Sequence, residues 1–382
     1  MNLHGQLNII ITLSKQGKQD EQVVVNAIDI DLERPNFAKQ MLVGQTPEQS
    51  TQRVAQLMTV CQHAQTAAAK LALGGAITSA EKHAIDYENI EQGFWRLVID
   101  LPKILAVDLP LTDFVKFRQA IIASSKNKNV QSELEIRSTA EHLFQQLCQL
   151  TSEEFSQLSK TTFSQWLTKS DSPMAVCLRQ VSHVLSVTID DNPRLLAAVP
   201  DDAMLATLSE LLQADDCFYQ QPCLDQQSYE TGTFAAMKNH PLFELFLTLG
   251  VTGRYASRLF YLAQKITELA DFNSSSHSSD YASGISAIKP LTGQFCLEKN
   301  TSLGWVQTAR GLLVHLATIQ QDQINQYFIV APTEWNFHPQ GTLEKIMLHT
   351  SFKSPELAKK AVKLAVIALD PCIDFNVGVT YA

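Results

Sequence analysis

Strand-like alternation is confined to the two ends of this 382-residue chain, and helical spacing fills the stretch between them. Leu7 to Leu13 is apolar and β-branched, and Lys15-Gln16-Gly17-Lys18-Gln19-Asp20 is a polar turn containing glycine. Gln22 to Ile30 alternates again, with Val24, Asn26 and Ile28 in one phase and Val23, Val25 and Ala27 in the other. Two such runs around a short glycine-bearing turn read as a β-hairpin. From residue 285 strands and turns return. Val306 to Ile319 and Gln323 to Val330 would pair through Gln320-Gln321-Asp322, and Pro332 to Asn336 makes a rigid corner after them. Strands segregated in this way define an α+β chain, mostly helical. It is read as one domain: a hairpin region over 1–45, a helical core over 46–270 and a β/helix region over 285–382.

The helical part begins with strong signals. Thr46 caps, Pro47 suits the first turn, and Gln49 completes a capping box. Val54, Leu57, Met58, Cys61, Ala64, Ala68 and Leu71 then recur at helical spacing, and Gly74-Gly75 stops the run. The spacing predicts one continuous helix, with Cys61 on its core face. Thr112 to Ser124, Val130 to Leu150, Ser152 to Leu167, His240 to Gly250 and Arg254 to Leu269 read as further helices. Asp191-Asn192-Pro193 and Pro200-Asp201-Asp202 read as turns, and the Ser-rich run from Asn273 to Gly284 as a loop. Ser354 and Pro355 open the last helix. Pro371 disfavours helical geometry at Asp370, so Cys372 should sit just past that helix's end.

Composition excludes several classes of function. The 30 basic and 39 acidic residues leave a net charge of −9, with no Lys/Arg cluster of the kind that binds nucleic acid. No apolar run reaches the ~18 residues of a membrane span. The N-terminus lacks a secretory signal pattern. Seven scattered cysteines do not make a disulfide framework and fit reduced thiols in a cytoplasm.

Two of those cysteines stand in suggestive surroundings: Cys61 in Cys61-Gln62-His63-Ala64-Gln65, and Cys372 in Asp370-Pro371-Cys372. Each has an ordinary reading beside the chemical one, since free cysteine is a common small core residue. His63 lies off the face of Cys61 and suits a surface role, and His315 suits a structural hydrogen bond. Cys217 and Cys223, six apart in a loop, are weak evidence for a metal. Cys148, Cys177 and Cys296 read as incidental thiols, and residues 123–235 hold no motif that translates into chemistry.

Three ordered segments near the C-terminus carry a resemblance. They are Ala309-Arg310-Gly311-Leu312-Leu313-Val314-His315, Pro332-Thr333-Glu334-Trp335-Asn336 and Asp370-Pro371-Cys372, with Arg34-Pro35 and Gly44-Gln45-Thr46-Pro47-Glu48 as weaker support near the start. Together they resemble the large subunit of nickel–iron hydrogenases, most closely the large-subunit-like maturation proteins of the HupK type. The resemblance covers roughly residues 1–75 and 300–382. It implies a large-subunit-like fold, with a helical bundle core.

The departures from the enzyme pattern are equally informative. Large subunits present two Cys-x-x-Cys motifs whose four thiolates hold nickel, with iron bridged to it. Here the partner of Cys61 is Met58 and the partner of Cys372 is Phe375. The arginine before the first motif is Gln56, the histidine after it is Gln65, and the histidine after the second motif is Gly378. His4-Gly5-Gln6 stands where the family has Glu-Gly-His, and only four residues follow Gly378, leaving no room for the removable C-terminal extension. Nickel is therefore not expected, nor is hydrogen cleavage or any other enzymatic activity.

The iron half of the site is retained. In the family, iron carries two cyanides and one carbon monoxide, and the resemblance matches Arg310 and Thr333 to the positions that meet cyanide. It leaves Cys61 and Cys372 as the two metal ligands. The implied function is a cytoplasmic scaffold that transiently receives or shields the iron–dicyanide–carbonyl unit, with hydrogenase maturation proteins or the large subunit as partners. The alternative is a metal-free docking protein of the same assembly.

Overall fold

The computed structural model describes residues 5–15, 22–35, 37–109, 111–126, 130–185, 192–271, 292–298 and 300–382. His4, most of the turn after Lys15, Asp191 and the Ser-rich run from Asn273 to Gly284 lie outside them. The chain begins with β1 (Gln6–Lys15), β2 (Val23–Glu33), α1 (Phe37–Leu42), α2 (Pro47–Leu57), α3 (Gln62–Ala72) and α4 (Ser79–Trp95), which a π turn (Arg96–Asp100) extends. There follow α5 (Leu101–Leu105), α6 (Leu111–Lys126), α7 (Val130–Cys148), α8 (Ser152–Ser156), α9 (Lys160–Lys169), α10 (Pro173–Val184) and α11 (Asp202–Ala214). Next come α12 (Thr233–Ala236), α13 (Phe243–Thr248), α14 (Val251–Asp271), β3 (Thr292–Glu298), β4 (Thr301–Thr308), β5 (Gly311–Gln320) and β6 (Gln323–Val330). The chain closes with α15 (Pro332–Asn336), α16 (Thr342–Met347), β7 (Ser351–Phe352), α17 (Pro355–Leu369) and β8 (Phe375–Tyr381).

The chain divides into two compact units. One comprises Met1–Glu88, Val187–Ala236 and Pro290–Ala382; the other comprises Asn89–Ser186 and Met237–Lys289. The second unit is helical. Phe144, Phe155, Phe163, Phe246 and Phe260 pack there with Trp166 in mostly edge-to-face contacts, the arrangement that aromatic pairs prefer over face-to-face stacking.

The first unit holds both sheets and every candidate site residue. Its first sheet has the order β7-β2-β1-β8, with β1 antiparallel to β2 and parallel to β8. Leu7, Ile9, Ile11 and Leu13 point inward from β1. The inward set of β2 changes phase, from Val23 and Val25 to Ile28 and Ile30. A bulge explains it: Thr12 faces Ala27 and Leu13 faces Val25, so Asn26 is the extra residue. The two apolar phases in the β2 sequence are thus one buried face interrupted by a bulge. The second sheet has the order β3-β4-β5-β6, antiparallel throughout.

Three expectations need correction. The stripe from Thr46 to Gly74 is not one helix. Its capping box at Thr46 and its stop after Ala72 are present, but α2 ends at Leu57 and α3 starts at Gln62. The run from Ser152 to Leu167 is also two helices, because Ser159 opens a new capping box with Thr162. Val306 belongs to β4 rather than to the strand that runs to Ile319, since the chain turns back between Thr308 and Gly311.

α3 lies on the second sheet through small residues. Ala64, Ala67 and Ala68 pack with Val306 and Leu313. Gly304 makes the approach possible, because a Cβ there would stand 2.3 Å from the Ala68 carbonyl oxygen. Glycine in a strand at a close backbone approach is a recurrent use of the residue.

Candidate functional site

Each candidate side chain is placed by a local device. Cys61 caps α3 from the left-handed region, at φ 53° and ψ 41°. That conformation costs a residue with a Cβ roughly 1–2 kcal/mol, and neighbours hold it there. The buried Glu88 carboxylate accepts from the backbone N–H of His63 at 2.9 Å and of Ala64 at 3.0 Å. It supplies the cap that the Cys61 side chain does not. Arg310 sits in the β4–β5 turn, where Thr308 Oγ1 accepts from the Arg310 and Gly311 N–H groups and donates to the Gly311 carbonyl. Thr333 lies on the single turn α15, whose Asn336 donates to Leu369 O and accepts from Thr231 N. The bond to Leu369 fixes α15 against the end of α17. Asp370 ends α17 at φ 61°, so Cys372 leaves the helix as Pro371 implied.

The devices of Cys61, Arg310 and Cys372 converge on one cavity of about 430 Å³, whose wall includes Arg34, Met58, Cys61, Gln65, Arg310, Tyr327, Glu334 and Cys372; Thr333 is buried behind Cys372 and is not part of that wall. The two thiols stand in parallel arrangements. Arg310 donates from Nη1 to Cys61 Sγ at 2.9 Å and pairs through Nε with Asp370 at 3.2 Å. Arg34 donates from Nη2 to Cys372 Sγ at 2.9 Å and pairs through Nε with Glu334 at 2.8 Å. The Arg34 Nε–H is not aligned on Glu334, so that contact is a charge pair rather than a directed hydrogen bond. Thr333 Oγ1 donates to Cys372 Sγ at 3.0 Å and accepts from the Cys372 N–H at 3.1 Å. Each thiol therefore shares one arginine with one carboxylate.

Burial sets the protonation states. It pushes the Cys61 thiol up to about 12, against the pull of Arg310. It raises the Glu334 carboxyl above its ordinary value, against the pull of Arg34. His315, fully buried, is driven down to about 3 and stays neutral. Its Nδ1 lies 2.8 Å from the Tyr327 hydroxyl and its Nε2 lies 2.8 Å from Gln65 Oε1.

The residues that replace the lost ligands separate. Met58 ends α2 in an extended conformation and lines the cavity. Phe375 opens β8, pairs with Leu7, and is not part of the cavity wall. His63 is exposed. Cys217 and Cys296 are exposed, Cys223 is half-buried, and Cys148 and Cys177 are buried. Among the described residues no cluster of three or more His, Cys, Asp or Glu is placed to hold a metal ion. None of the described helices is long and apolar enough to cross a membrane.

Several members of the site escape a motif reading. Arg34 enters only as weak support for the resemblance, with no site role, Glu88 carries no pattern, and Tyr327 and Gln65 belong to no retained motif. Glu334 is visible inside its segment, but its pairing with Arg34 joins two ends of the chain.

The fold is that of a hydrogenase large subunit. The structure aligns with the Ni-Fe-Se hydrogenase from Desulfovibrio vulgaris Hildenborough, in its as-isolated oxidized state, at TM-score 0.61 and 12% identity, over 95% of this chain and 98% of that one. Residues 225–377 match the nickel-dependent hydrogenase family. In sequence, the chain is 24% identical over 406 aligned residues to the hydrogenase expression/formation protein HupK of Rhizobium leguminosarum bv. viciae, across 99% of this chain and 97% of that protein. It is 29% identical over 220 residues to the hydrogenase expression/formation protein HoxV of Cupriavidus necator, across 56% of this chain and 54% of that protein.

Proposed function

We propose that this chain is a hydrogenase maturation scaffold that receives or shields the iron–dicyanide–carbonyl unit before the unit reaches a hydrogenase large subunit. The observation that carries the proposal is the pairing on one cavity wall, Cys61 with Arg310 and Cys372 with Arg34, with Thr333 bonded to the Cys372 sulfur from behind that wall. The names of the similar expression/formation proteins support the same direction.

The chemistry of the donor set fits this cargo. Two cyanides and one carbonyl fill three positions on iron, and two soft thiolates fill two more. Iron(II) with two cyanides is neutral, so loading adds the charge of the thiolates alone, and each thiolate faces an arginine. The two guanidiniums carry N–H groups beyond those on sulfur and supply donors for cyanide nitrogen, while the Thr333 hydroxyl holds the Cys372 sulfur. Nickel would need the two further thiolates that Met58 and Phe375 replace, so the scaffold works without nickel and without catalysing hydrogen cleavage. It acts in the cytoplasm, with maturation proteins and the large subunit as partners.

Infrared spectroscopy of the protein purified alongside the maturation machinery tests this. Cyanide and carbonyl bands are expected in the parent and absent in Cys61→Ser and Cys372→Ser. Parent protein that lacks those bands yet still captures hydrogenase assembly proteins would replace the scaffold with the metal-free docking reading.

A further inference from the structure

The chain Tyr327–His315–Gln65 spans from β6 through β5 to α3, and both of its ends reach the cavity wall. His315 is neutral, so one ring nitrogen donates and the other accepts. Gln65 Oε1 can only accept, so His315 Nε2 carries the proton and Nδ1 accepts from the Tyr327 hydroxyl. Both contacts of the imidazole are then satisfied. With the amide reversed, His315 would donate to Tyr327 and the buried phenolic proton would have no acceptor among the described residues, which is costly. The tyrosine thereby fixes the tautomer, and the tautomer fixes the amide.

One consequence is that the Gln65 –NH2 group is turned away from His315. No described residue accepts from it, and Gln65 lines the cavity one helical turn beyond Cys61, whose carbonyl accepts the Gln65 backbone N–H at 2.8 Å. Resting on the scaffold reading above, we propose that Gln65 is a further recognition residue for the cargo, presenting its amide N–H to a cyanide on the Cys61 side. Cyanide is the matching ligand because it carries negative charge and a strong acceptor nitrogen, whereas carbon monoxide accepts weakly. Tyr327 and His315 act as positioning residues, through Gln65.

The test is the infrared spectrum of loaded protein in Gln65→Leu and Tyr327→Phe variants, with iron content measured on the same samples. In Gln65→Leu one of the two cyanide bands is expected to shift while the other stays. In Tyr327→Phe, which retains the amide but frees its orientation, the same band is expected to broaden or split. Both cyanide bands unchanged in either variant, at parent iron content, would overturn the role of Gln65 or of its positioning triad respectively. A folded Gln65→Leu protein that loads no iron would support the role if Tyr327→Phe still loads with an altered band, and would count against it if the Tyr327→Phe spectrum matches the parent. Absence of bands in the parent itself would instead overturn the scaffold reading.

Discussion

Arg310 donates to the Cys61 sulfur across 2.9 Å of space and 249 residues of sequence. The same guanidinium faces Asp370, and both side chains of that ion pair are almost wholly buried. Removing one partner of a buried pair leaves an uncompensated charge. Arg310→Met is therefore expected to destabilise the fold by about 3–5 kcal/mol, measured by urea unfolding. Adding Asp370→Asn in the same chain should recover most of the loss. Unchanged stability in Arg310→Met would show that the pair does not hold the site together.

Cys61 should be a slow nucleophile. Its thiol is buried and pushed up to about 12, so it stays protonated near neutral pH. Alkylation of native protein at pH 8, read by mass spectrometry, is expected to label exposed Cys217 and to spare Cys61 until denaturant is added. A group whose folded value is raised stabilises the fold fully below its unfolded value. Its contribution is thus lost as pH rises from 9.0 towards about 12. Rapid labelling of Cys61 at pH 8 would contradict this environment.

His315 works in the opposite direction. Burial lowers it from 6.5 to about 3, so the unfolded chain takes up a proton in that window and the folded chain does not. Its stabilising contribution is present above 6.5 and is lost as pH falls towards 3, with a slope of about 1.4 kcal/mol per pH unit. His315→Gln should flatten acid unfolding in this range by that slope. An equally steep profile would mean that His315 is protonated in the folded protein.

Gly304→Val tests the seating of α3, the helix that presents Cys61 and Gln65. A side chain at 304 would strike the Ala68 carbonyl and the Ala72 nitrogen. Overpacking of this kind costs about 1–3 kcal/mol, and the shift of α3 should also lower cargo retention. A fully stable variant that loads as the parent does would place the α3–sheet contact outside the site's requirements.

The parts of this architecture that depend on local chemistry are readable in the sequence. Thr46 and Gln49 form their capping box, Ser354 and Pro355 open α17, and the hairpin of β5 and β6 turns where Gln321 and Asp322 take positive φ. Asp370 and Cys372 fall where Pro371 puts them. The break between α2 and α3 is not readable, because no glycine or proline marks it. Cys61 is held in a conformation unfavourable to it by Glu88, which caps the His63 and Ala64 N–H groups 25 and 24 residues away, and by Arg310, which bonds its sulfur from 249 residues away. Arg34 likewise shows no purpose until β8 lies parallel to β1 and brings the C-terminal end of the chain to the N-terminal hairpin.

X-ray absorption at the iron edge of the loaded protein measures the central claim most directly. Two sulfur neighbours and three short carbon neighbours per iron are the expected result, with that iron shell absent in Cys61→Ser and in Cys372→Ser. Iron bound to nitrogen and oxygen alone, or a sulfur count unchanged in both variants, would contradict a site built from Cys61 and Cys372.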